Sequence, residues 1–174
     1  MNMRRAGRLA LALAFLAPGC GYHIAGRGEL IPANIKTIAI PAFGNVTTVY
    51  NLARLLPADI TREFESRTRY AILTDPREAD ATLEGIVTNY GAFPTTSDPK
   101  TGRATSVQVV VTLRLNLTDR RTGKLLYSRN GAEFRERYEV AIDPKAYFDE
   151  SGTALQRVSQ DVARSVVTGI LEAF

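Results

Sequence analysis

From Val107 to Thr118 the chain alternates without a break. Val107, Val109, Val111, Leu113, Leu115 and Leu117 fall on one side, and Gln108, Val110, Thr112, Arg114, Asn116 and Thr118 on the other. A period of two over twelve residues is the signature of a strand with one buried and one wetter face. Such a strand needs neighbours to complete its backbone hydrogen bonds and a second layer to cover its apolar side. Asp119-Arg120-Arg121-Thr122-Gly123 follows as a hairpin turn, with Gly123 supplying the positive φ. The return strand runs from Lys124 to about Val140 and is interrupted at Asn130-Gly131. Upstream, Ala81 to Phe93 reads as a further strand. It puts Leu83, Gly85, Val87, Asn89 and Gly91 on one side, and its glycines suggest a bulge or a close backbone contact. Pro94 to Arg103 reads as an exposed loop.

Two stretches supply the covering layer. From Asn51 the spacing becomes helical, with Leu52, Leu55 or Leu56, Ile60 and Phe64 three or four residues apart and Arg54, Asp59, Arg62, Glu63 and Arg67 between them. Pro57 interrupts this pattern, and an interior proline costs about 3 kcal/mol, so the helix either kinks there or starts there. After Asp143 to Glu150, the second stripe is Leu155, Val158, Val162, Val166, Ile170 and Phe174. Its polar face is mixed in sign, which favours packing on a sheet over lying in a membrane surface. The first helix is flanked by short apolar runs, Asn34 to Phe43 before it and Arg69 to Thr74 after it, while Gly44 to Thr48 reads as a loop and Arg77 to Asp80 as a turn. Strand, helix, strand in that order favours a right-handed crossover between parallel strands. The expected fold is α+β, two amphipathic helices packed on one face of a mixed four- to five-stranded sheet.

The N-terminal stretch has a different logic. Arg4, Arg5 and Arg8 precede an uncharged run from Leu9 to Pro18, and Gly19 stands before Cys20, the sole cysteine. Charged region, short apolar region and small residue are the order of an export signal. About ten apolar residues are too few for a bilayer span, which needs roughly twenty. Cleavage before Cys20 would free its thiol for a lipid, and two or more acyl chains hold a protein stably at a membrane. The expected organisation is a signal over 1–19, a lipidated leader over 20–33 and one α+β domain over 34–174. Removing the signal takes Lys plus Arg from 22 to 19 against 18 Asp plus Glu, so the formal charge falls from +4 to +1. The basic character belongs to the export signal, and no nucleic-acid footprint is expected in the mature domain.

For chemistry the chain offers little. His23, the single histidine, lies three residues beyond Cys20 on a leader broken by Gly26, Gly28 and Pro32, where no orienting partner would be held. There is no metal-ligand cluster, phosphate loop or nucleophile elbow. Glu133 with Glu136 and Asp149 with Glu150 are the conceivable carboxylate pairs. No cofactor or metal is expected, and the chain reads as non-enzymatic.

Cys20-Gly21-Tyr22-His23 directly after the signal, a strand followed at once by a charged amphipathic helix, a long central hairpin and a C-terminal amphipathic helix resemble the LptE family of lipopolysaccharide-assembly lipoproteins. The resemblance implies an outer-membrane lipoprotein anchored on the periplasmic side. It implies that a two-helix, one-sheet domain plugs the LptD β-barrel, supports passage of lipopolysaccharide and binds that lipid itself. Lipopolysaccharide carries phosphates and carboxylates, which Arg and Lys bind by charge-assisted hydrogen bonds. Arg103 on the exposed loop and Arg120, Arg121 and Lys124 at the hairpin turn are the candidate contacts. The alternative is a lipoprotein that regulates or scaffolds another envelope machine, such as a cell-wall synthase or a secretion pore.

Overall fold

The computed structural model describes residues 31–140 and 144–173, and the side chains of these outside 144–150. Cys20, His23, the expected signal and leader up to residue 30 and Phe174 lie outside the described residues, as do the side chains of the Asp149/Glu150 pair. The elements in chain order are β1 (Thr37–Ala39), β2 (Gly44–Asn45), α1 (Leu52–Arg67), β3 (Ala71–Leu73), a short 3₁₀ turn (Pro76–Glu78), β4 (Ala81–Ser97), β5 (Ala104–Asp119), β6 (Leu125–Glu139) and α2 (Pro144–Glu172). The sheet has the order β3-β1-β4-β5-β6, with β2 also paired to β4. β1 is parallel to both β3 and β4, and β4, β5 and β6 are successively antiparallel. The two-helix α+β reading holds, with the parallel β1-α1-β3 crossover as expected. The sixth strand is β2, which forms at Gly44 and Asn45 where the sequence reads as loop. They pair with Ile86 and Val87, and the Asn45 side chain closes the chain after them by accepting the Thr47 N–H and donating to the Val49 carbonyl.

The alternation in β5 sets the core. Val109, Val111, Leu113, Leu115 and Leu117 are essentially inaccessible, and they meet Leu52, Leu56, Ile60 and Phe64 of α1 and Val158, Val162, Val166 and Ile170 of α2 in one cluster. Each such aliphatic side chain contributes about 1.5–3 kcal/mol on burial, which fixes the register of β5 against any one-residue slip.

Several expectations need correction. β4 runs on to Ser97, so Pro94 to Ser97 belong to the hairpin and only residues 98–103 form its turn. Its alternation also changes phase: the register shifts between Val87 and Asn89, and beyond it Asn89 is exposed while Tyr90 packs against the core. Thr88 is the extra residue, and its hydroxyl donates to the Thr112 carbonyl across the ladder. Asn130-Gly131 does not interrupt β6. Gly131 takes φ +69° in a bulge between the Leu113–Ala132 and Arg114–Asn130 pairs, and the strand continues on both sides. α2 begins at Pro144, well before its apolar stripe.

Pro57 lies inside α1, which starts at Leu52, so the helix does not begin at the proline. The ring removes the N–H that would reach the Ala53 carbonyl four residues back. Phe43, before β2, fills that role: its N–H donates to Ala53 O at 3.2 Å. The Phe43 ring is itself buried over Gly85 of β4, where an added Cβ would lie 2.4 Å from a ring carbon. Glycine at 85 therefore admits the ring, and the ring anchors the residue whose N–H completes the helix.

Candidate functional site

The basic turn residues are placed by β5. Sixteen residues at about 3.3 Å each make this strand about 50 Å long. Arg103 stands at its beginning, in a turn closed by Asp98 N–H to Arg103 O and Gly102 N–H to Asp98 O. Arg120, Arg121 and Lys124 stand at its other end, so the structure separates the four candidates into two groups. Within the second group the side chains differ. The Arg120 guanidinium donates to the Pro76 carbonyl at 2.8 Å and its backbone N–H to Asp80 O, which ties the β5–β6 turn to the start of β4. Arg121 and Lys124 are exposed, their N–H groups held by Asp119 Oδ1 and Thr122 Oγ1. Burial pushes the Asp119 carboxyl up, but the Thr122 and Arg121 donors outweigh it and hold the group below the usual carboxylate range.

Around the same end, Asp80 accepts the Lys36 and Thr37 N–H groups and the Thr37 hydroxyl; the Lys36 N–H lowers its pKa most, followed by the Thr37 hydroxyl and then the Thr37 N–H. Asp75 is lowered chiefly by its side-chain bond with Arg77. Close by is a cavity of about 600 Å³ lined by apolar Ile35, Tyr70 and Leu171 and cationic Lys36, Arg67 and Arg69. Three distant segments build it, so no local pattern announces it.

The sheet face turned away from the helices is polar along most of its length. Glu84, Asn116 and Ser128 form one row across β4, β5 and β6, with Ser128 Oγ donating to Asn116 Oδ1, and Asn89, Thr112 and Glu133 form another. Ile86, Phe93 and Leu125 are its exposed apolar members. Of the conceivable carboxylate pairs, Glu133 and Glu136 do not converge on one site. Glu133 and Glu136 are three residues apart on a strand and so face opposite sides: Glu133 is held by Arg135 on the open face, and Glu136 lies 3.6 Å from Arg157 of α2. No group of three or more metal-ligating side chains is present among the described residues, and none of their helices is long and apolar enough to cross a membrane.

One carboxylate was hidden in the sequence. Asp59 reads as part of the charged face of α1, yet it is 3% exposed. It accepts from Ser159 Oγ at 2.5 Å and from Gln156 Nε2 at 3.0 Å, both on α2, and pairs with Arg62. It joins the two helices and is not open to a substrate.

The fold agrees with what comparison with known proteins finds. The LptE lipopolysaccharide-assembly family model matches residues 35–170, all but the ends of the folded domain. The chain belongs to the LptE family. No curated protein matches it. Among solved structures, an uncharacterised lipoprotein B from Nitrosomonas europaea aligns with TM-score 0.56 at 10% identity, covering 79% of this chain and 83% of that one. Rare lipoprotein B from Shewanella oneidensis aligns with TM-score 0.51 at 12% identity, over 76% and 91%. The PelC dodecamer from Paraburkholderia phytofirmans gives 0.51 at 15%, over 79% and 87%. At such identities these likenesses speak for the fold alone. LptE members are non-enzymatic envelope lipoproteins of lipopolysaccharide assembly, in keeping with a domain whose helices are both used for its own core.

Proposed function

We propose that this chain is exported, cleaved before Cys20 and lipidated there, and that at the outer membrane its domain plugs the lumen of the LptD β-barrel and supports the passage of lipopolysaccharide. The observation that carries this is the family match over residues 35–170. The surfaces are in accord with it: both helix stripes are buried, and a long hairpin sheet presents a mostly polar face of Thr, Asn, Ser, Glu and Arg. A polar face of this kind suits the water-filled interior of a barrel, where side chains alternate between lumen and lipid. Arg103 at one end of β5, and Arg121 and Lys124 at the other, are the proposed lipopolysaccharide contacts. Arg120 has its guanidinium engaged with Pro76 and serves the fold first.

The test is to solubilise membranes of the native organism in mild detergent, purify tagged full-length protein and identify what accompanies it. A large β-barrel in near-equal amount is expected. Recovery of a cell-wall synthase or secretion pore without a barrel would overturn the plug assignment and favour a scaffold of that machine. In the same cells Cys20→Ala is expected to abolish incorporation of a labelled fatty acid into the protein.

A further inference from the structure

The second half of β4 has an open edge. One side of this strand is paired along its length with β5; on the other, β1 covers Ala81 and Thr82, β2 covers Ile86 and Val87, and the Val46 N–H closes on Val87 O. From Thr88 to Ser97 no described strand pairs with that second side. None of these residues is charged, and Ala92 to Ser97 are exposed. Pro94 fixes the way the backbone points. It keeps its place opposite Val107 although it has no N–H to give, so its nitrogen faces the open edge. The register is unbroken from Asn89 to Pro94, so the Ala92 N–H and carbonyl, two residues back, face the same way. Beside them Phe93 is 56% exposed and lies over Gly91, where an added Cβ would come within 2.5 Å of its ring. The other edges of the sheet are guarded. β3 is three residues long, and β6 carries Arg129, Glu133, Arg135, Glu136, Arg137 and Glu139. Short edge strands and edge charges are the means by which folded proteins keep an edge from pairing, and before Pro94 the β4 edge has neither over Thr88 to Phe93, about 20 Å.

We propose that this edge takes up one extended, uncharged segment of the barrel polypeptide, which adds to the sheet as a further strand beside Asn89 to Phe93. The proposal rests on the reading that the domain plugs a barrel. The wall of a closed barrel has every strand paired and no edge to offer, so the segment belongs to chain that leaves the wall and folds into the lumen. Its chemistry follows from the site. A charged side chain would lie against Phe93 and Gly91 with no counter-charge on β4 from Thr88 to Ser97, whereas Thr, Ser or aliphatic side chains suit both the neutral edge and the exposed ring. Main-chain bonds supply the affinity of such an added strand, and its register sets the position of the domain along the lumen.

The test compares residue-resolved deuterium uptake of the full-length protein purified alone with that of the same protein in the barrel complex recovered from native membranes. A lumen is water-filled, so enclosure alone leaves an unbonded amide exchanging, whereas a new ladder bond protects it. The Ala92 amide is expected to exchange about tenfold or more slowly in the complex, with the β6 amides from Glu133 to Glu139 within about twofold of the isolated protein. Ala92→Pro removes the outward donor and leaves the β5 ladder whole, and should lower barrel recovery about fivefold or more; Ala92→Val keeps the N–H and should not. The uptake comparison uses the natural sequence and so decides the matter even if the proline variant does not fold. Equal exchange of Ala92 in the two preparations would overturn the proposal, and so would equal slowing along β6, which reports burial and not pairing. Slow exchange of Ala92 in the isolated protein would assign the edge to the chain's own leader or to a second copy, and the proposal would fall. Recovery of no barrel at all would instead overturn the plug reading beneath it.

Discussion

Asp59 and Ser159 offer a test in which the sign of an effect, not only its size, is predicted. Ser159 is fully buried, and its hydroxyl donates to the Asp59 carboxylate. A hydrogen bond to a charged group is worth about 1.5–3 kcal/mol, so Ser159→Ala should cost that much in an otherwise unchanged protein. Asp59→Ala should cost about 2–3 kcal/mol, because the Ser159 hydroxyl is left buried without a partner. Gln156 is only partly buried and the Arg62 side chain is 66% exposed, so both regain water and add little. Removing both members is different, since replacing the two partners of a buried pair by apolar groups is nearly neutral. On the Asp59→Ala background, Ser159→Ala should therefore stabilise, by about 1 kcal/mol or more. Urea unfolding of the four proteins followed by far-UV circular dichroism measures the cycle, and an equal cost of Ser159→Ala on both backgrounds would refute the account.

Other substitutions separate the glycines by what surrounds them. Gly131→Ala should cost about 1–2 kcal/mol from its positive φ, with Gly131→Asn costing less, although open space surrounds the site. Gly85→Ala should cost about 1–3 kcal/mol by driving a Cβ into the Phe43 ring, whereas Gly152→Ala in the open middle of α2 should stabilise by about 0.5–1 kcal/mol; thermal melts rank all of these. The lowered pKa of Asp80 gives stability that is present above the unfolded value near 3.9 and is lost as pH falls through the folded value. The urea midpoint should drop below about pH 4, and Asp80→Asn should be less stable at neutral pH with a flatter acid limb. A midpoint falling as steeply with acid in Asp80→Asn would remove that carboxylate from the account.

What the sequence made legible follows from period and length. β5 and the stripe of α2 are long enough for their patterns to leave one solution, and the crossover of β1, α1 and β3 follows from element order. Single extra residues defeat such reasoning. Thr88 and Gly131 each shift a register by one, and nothing local distinguishes a bulge at Gly131 from a strand end. β2 escaped notice because two residues carry no period. Asp59 looked like any acidic residue among arginines, since its acceptors' partners lie about a hundred residues away. The turn cations Arg120, Arg121 and Lys124 were legible, but the cavity of Ile35, Tyr70 and Leu171 with Lys36, Arg67 and Arg69 was not, because three distant segments meet there only in the fold.

The bond from Phe43 to Ala53 bears on how this chain acquires its structure. A helix with proline as its sixth residue lacks the ladder bond it needs there, and an isolated helix of this length is already marginal in water. Here the missing donor comes from a residue outside the helix, whose ring is seated on β4. α1 should therefore gain its full stability only once β4 is in place. Residues 43–60 and the first half of β4 should open and close as one cooperative unit, with the amides of α1 sharing the protection of the strand on which Phe43 is seated.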